Sequence, residues 1–153
     1  MKREGAGSEG VGGEREGQWG QRLADNATEA GGRGQRPHWR FEDLEIWRLA
    51  TDLAVEFHRV AMRLEERRLY RYAEQFRAAR LSVSNNIGEG SASPHSAEFR
   101  QFLNIARRSL FEDVSMVLVL ERLGLLETTE VNGLLALCDM LSRKITTLTR
   151  TLD

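Results

Sequence analysis

From Phe41 to Leu152 apolar residues recur at steps of three and four, and no stretch alternates apolar with polar residues as a half-buried strand must. That periodicity predicts an all-α fold. Its most regular instance is Val131, Leu134, Cys138, Leu141, Ile145, Leu148 and Leu152, a heptad-like spacing that forms the seam of a helical bundle. A first segment, about 42–65, carries Ile46, Leu49, Leu53, Phe57, Val60 and Leu64, flanked by Leu44, Trp47, Ala50, Ala54 and Ala61. So wide an apolar face predicts burial against more than one neighbour, for instance the home bundle and a second subunit. The second segment, about 69–89, begins at Leu69 and Tyr72, and Gly88 and Gly90 are expected to end it. Ser93 before Pro94 reads as the N-cap of a third, which holds Phe99, Phe102, Leu103, Ala106, Leu110, Val114 and Val117 and closes at Gly124. Thr128 or Thr129 is expected to cap the fourth. Long helices joined by short connections favour an antiparallel up-and-down four-helix bundle.

A chain of 153 residues is one domain's worth. Ten of its fourteen glycines fall in residues 1–34, among Glu, Arg, Gln and Ser and without apolar periodicity. Residues 1–40 therefore read as a disordered Gly-rich tail, or as an upstream extension that is not translated, and residues 41–153 as the bundle domain. The tail is no targeting peptide, because it lacks an apolar central run and carries Glu4, Glu9, Glu14 and Glu16. Met116–Leu120, the longest aliphatic run, is far short of the roughly 20 residues that span a bilayer. A lone Cys138 within an apolar stripe predicts an inert core thiol and fits a reducing cytoplasm.

The segment QFRAARLSVSNNIGEG, 75–90, adds a polar stripe to its apolar one. Gln75, Ala79, Ser82, Asn86 and Glu89 share a narrow arc beside Tyr72, Phe76, Val83 and Ile87. Each buried polar group there must find a partner or cost about 1–3 kcal/mol, so the stripe predicts facing polar groups on another helix or subunit. A network of Gln75, Ser82, Asn86 and Glu89, closed by Arg107 facing Glu89, would fix helix register.

Catalysis finds little support. Di-metal bundles need two Glu-x-x-His patterns, and this chain has none: His58 alone lies within a helix, while His38 and His95 fall in tail and loop. Ser82, Ser84 and Ser109 lie on no nucleophile turn, and SNNIGEGS lacks the glycines and preceding strand of a phosphate-binding loop. No enzyme activity, metal, cofactor or small-molecule substrate is expected.

Charge is unevenly spread beneath a total of −1. Residues 41–66 sum to −4, residues 67–108 to +5 and residues 109–153 to −3. The candidates for contacting RNA or DNA phosphates are Arg67, Arg68, Arg71, Arg77 and Arg80, with Arg100 and Arg108 on the third helix. Arg100, Asn104 and Arg107 share one flank of that helix, whereas Arg108 points away and can pair with Glu112. The alternative is a protein-interaction scaffold whose arginines form a solvated face. An excess of twenty Arg over two Lys is attributed first to a GC-rich genome.

The order of these motifs resembles the four-helix-bundle family of proteins encoded within intervening sequences of bacterial 23S ribosomal RNA genes. FEDLEIW at 41–47 is similar to its opening signature. Gln75, Arg77, Ala79, Ser82, Asn86, Ile87, Glu89 and Gly90 match its most diagnostic segment. Phe99, Phe102, Leu103, Ala106, Arg107, Ser109 and Glu112 match its third helix, with the fourth similar in pattern only. Ala78, Ser84, Gly88 and Arg108 stand where the family usually has arginine, proline, alanine and glycine. The resemblance implies a ring-shaped homopentamer. It also implies, through a related branch that serves reverse transcriptases of diversity-generating retroelements, a polymerase or nucleic acid as partner.

Overall fold

The computed structural model describes residues 36–152, together with Gln18, residues 20–23 and Asp25. Of Arg80 only the backbone is described. The expected disorder of residues 1–40 thus falls mostly outside the described residues. The six described positions between 18 and 25 are nevertheless helical, which the lack of apolar periodicity did not anticipate.

The compact bundle unit begins at Trp39. A 3-10 turn, Arg40–Asp43, leads into α1 (Glu45–Glu66), α2 (Tyr70–Ser91), α3 (Ser96–Arg122) and α4 (Thr128–Thr151). Each helix packs on the next, and α4 returns to α1. The ion pairs between them give the direction. Arg63 near the end of α1 meets Glu130 near the start of α4, while Lys144 late in α4 reaches Glu45 at the start of α1, 2.9 Å away. No strand occurs among the described residues, and the sequence-based reading of an all-helical bundle holds.

The apolar stripes become the core. Ile46, Leu53, Phe57, Val60 and Leu64 of α1 are buried with Phe76, Val83 and Ile87 of α2, Leu103, Leu110 and Val117 of α3, and Leu134, Leu141 and Ile145 of α4. At the centre the Phe57 and Phe76 rings meet edge to face at 5.0 Å. Much of the wide α1 face is used inside the protomer. Leu44, Trp47 and Leu49 lie half-buried against the core, and Phe41 of the 3-10 turn packs on Trp47 at 4.9 Å. Only Val55 and Met62 of α1 remain as exposed large apolar residues.

Helix ends depart from the expected caps. Helix α3 starts at Ser96 with His95 as N-cap; Ser93 instead shapes the turn, its hydroxyl accepting from the His95 N–H at 3.1 Å and donating to the Glu98 carboxylate at 2.5 Å. The N-cap of α4 is Glu127, so Thr128 is already helical and neither threonine caps it through its side chain. Gly124 does serve as the left-handed stop, at φ +67. Its N–H reaches Glu121 O while the Leu125 N–H reaches Leu120 O, both at 2.9 Å. Arg68 fills the same role after α1 at φ 62, with its N–H on Glu65 O and that of Leu69 on Leu64 O. A non-glycine residue held there costs about 1 kcal/mol or more.

Gly88 and Gly90 do not end α2, which continues to Ser91. They permit close approach instead. A Cβ on Gly90 would lie 2.5 Å from Phe102 Cβ and 2.9 Å from Phe99 Cδ2, and one on Gly88 would rest 3.7 Å from the Phe41 ring. Gly90 therefore sets the spacing between α2 and α3.

Candidate nucleic-acid interface

The polar stripe of α2 comes together only in part. Ser82 Oγ and Ser109 Oγ of α3 lie 2.8 Å apart, and Asn86 Nδ2 donates to Ser82 O at 2.7 Å. Ser84 and Ser91, both buried, return their hydroxyls to Leu81 O and Gly88 O of their own helix. Gln75 and Glu89 are exposed and lie outside this cluster. Arg107 does not close the network. Its guanidinium lies over the Phe111 ring one turn along α3, 5.3 Å from the centroid, so the partner that sequence reasoning lacked was Ser109.

The candidate arginines divide into two groups. Arg67, Arg68 and Arg71 gather where α1 turns into α2, and Arg67 Nη1 approaches Leu125 O at 3.4 Å across that end of the bundle. Arg100, Arg107 and Arg108 lie along α3; Arg107 is 15 residues before Arg122, the last of that helix, about 22 Å at the helical rise. The side chain of Arg80 lies outside those described. Arg67, Arg68 and Arg71 are thus separated along the bundle from Arg100, near the start of α3.

Their availability also differs. Arg77 is half-buried and ion-paired to Glu65, tying the start of α2 back to the end of α1. That shared hydrogen bond raises the Arg77 pKa and lowers that of Glu65. Arg77 is thus engaged within the protomer. Arg100 is half-buried, whereas Arg68, Arg71, Arg107 and Arg108 are exposed. Arg108 forms no ion pair among the described residues, and Glu112 shares with it, Arg107 and Phe111 the lining of a surface hollow of about 390 Å³.

Asp113 escaped the sequence reading. It is 1 % exposed in the middle of α3, and neither carboxylate oxygen has a hydrogen-bond partner. Burial, and secondarily Glu112, pushes its pKa up to about 7. Burial, and then Asp113, pushes the Cys138 thiol up to about 12, which leaves it protonated and unreactive near neutrality. Among the described residues no group of three or more His, Cys, Asp or Glu could hold a metal, and no helix is long and apolar enough to cross a membrane.

Fold and surface together define a helical bundle that carries exposed arginines on its second and third helices. The profile of the 23S rRNA-intervening sequence protein family matches residues 42–147, and the chain belongs to that family. A comparison with curated proteins finds no match. The resemblance carried by FEDLEIW, by residues 75–90 and by α3 thus falls within the matched span, save for Phe41, which immediately precedes it. In the structure those motifs supply the Phe41–Trp47–Gly88 contact, the Gly90–Phe102 approach and the Ser82–Ser109 pair.

Proposed function

We propose that the protein is an oligomeric, cytoplasmic bundle that acts by binding RNA or DNA through the arginines of α2 and α3 rather than by catalysis. The supporting observation is the exposure of Arg71, Arg107 and Arg108 within the only net-positive section of the bundle domain, +5 over residues 67–108 between sections of −4 and −3. Phosphate contacts release counterions, so affinity falls with salt in proportion to the arginines engaged. Assembly into a ring, the pentamer implied by the resemblance, would multiply a modest patch on each protomer. The scaffold alternative draws its support from Arg77, which is spent on Glu65.

Titration of single- and double-stranded RNA across a salt series decides between them. Tight binding with a steep log–log slope is expected, and Arg71→Ala together with Arg108→Ala should shallow the slope by about two. Binding that ignores salt would leave the scaffold reading. Light scattering at micromolar concentration tests assembly independently; a monomer would contradict it.

A further inference from the structure

Phe111 has no role in the core. It stands 58 % exposed on α3, its ring covered by the Arg107 guanidinium at 5.3 Å, with exposed Arg108 lining the same hollow. The ring also borders a second hollow of about 260 Å³ between α3 and α4, walled by Leu110, Val114, Leu135 and Cys138, with Asp139 and Ser142 at its edge. An aromatic face, a planar cation stacked on it and a second cation beside it are what a strand with splayed bases requires.

We infer that Phe111 and Arg107 form a stacking platform for an unpaired base, with Arg108 taking the adjoining phosphate. The inference rests on the nucleic-acid reading above and narrows it to single strands. A duplex keeps its base faces inside the stack, so an isolated surface ring offers it nothing, whereas a single strand turns a base outward onto the ring. Charge suits this occupant, since the hollow holds two arginines against Glu112 alone.

The test compares an unstructured RNA oligonucleotide with a duplex of equal length on the full chain. Phe111→Ala should weaken the single strand about tenfold at unchanged salt slope and leave the duplex unaffected, because stacking carries no counterion release. Arg108→Ala should instead shallow the slope by about one. Phe111→Trp should keep the affinity, since an indole stacks as well as a phenyl ring. Equal single-strand affinity of Phe111→Ala and parent overturns the platform while leaving the nucleic-acid reading intact. A change of oligomeric mass in Phe111→Ala would also overturn it, by placing the ring at a subunit contact. Failure of the parent to bind any nucleic acid removes both readings.

Discussion

Asp113→Leu stabilises the bundle, and the gain grows with pH. The unfolded chain releases the Asp113 proton near its ordinary value of 3.8, whereas the folded chain holds it to about 7. Between those values the native state binds more protons than the unfolded state, so each pH unit removes about 1.4 kcal/mol of stability. Below the lower value both states are protonated and the penalty vanishes. Above the upper value both are ionised, and the loss levels off at about 4 kcal/mol, accumulated over the interval between the two values. Leucine carries no proton and suits a site among Leu110, Val117 and Cys138. Urea midpoints for parent and variant at matched protein concentration should diverge from about pH 4 to pH 7 and then run parallel. Asp113→Asn separates the two costs, since it abolishes the titration yet keeps a buried polar group worth about 1–3 kcal/mol unpaired. Parallel curves for parent and Asp113→Leu across the whole range would refute the argument.

The same residue shows why the sequence was legible for the fold and less so for the interior. Buried positions of α3 run Phe99, Leu103, Ala106, Leu110, Asp113, Val117 and Leu120, an unbroken heptad spacing. A search for apolar residues steps over Asp113 to Val114, which the structure leaves half-buried. Register taken from spacing alone, blind to residue type, would have flagged a carboxylate in a core seat. Helix existence, order and antiparallel pairing needed no such refinement, because four stripes of matching period fix them. Glycine was read too uniformly as a stop signal. Gly124 follows the last periodic residue and does stop its helix, but Gly90 lies within the α2 pattern and serves contact.

The four-residue step from Ser82 to Asn86 was visible as a shared arc, and their hydrogen bond follows from it. Ser109, on another helix, depends on the offset between α2 and α3, which no local pattern encodes. Charge totals are likewise blind to pairing: Arg77 counts toward +5 yet is bound to Glu65. Phe111 was missed because apolar periodicity directs attention to the buried face, and it stands off that face.

Gly90→Ala should destabilise the bundle even though it improves helix propensity, and Gly133→Ala should do the reverse. Gly133 sits inside α4, where alanine is intrinsically better by about 0.5–1 kcal/mol, and Gly90 in the last turn of α2, where the gain is smaller. At Gly133 nothing lies within 4 Å of the added carbon, so the propensity gain should appear whole. At Gly90 the new methyl would meet Phe102 Cβ at 2.5 Å, an atom fixed to the α3 backbone that no rotamer change can withdraw. The helices must separate, and such overpacking costs about 1–3 kcal/mol, which outweighs the gain. Separation would also lengthen the contact between Ser82 and Ser109, 27 residues apart in sequence and 2.8 Å apart across the same interface. Phe102→Ala removes the clashing ring but not the Cβ, so it should relieve Gly90→Ala only partly. Phe102→Gly removes the atom itself and should relieve more of the strain. A double-mutant cycle of Gly90→Ala with each of the two measures that difference in coupling by urea unfolding. Equal coupling for both would mean that the ring, and not the backbone spacing of α2 and α3, is what Gly90 protects.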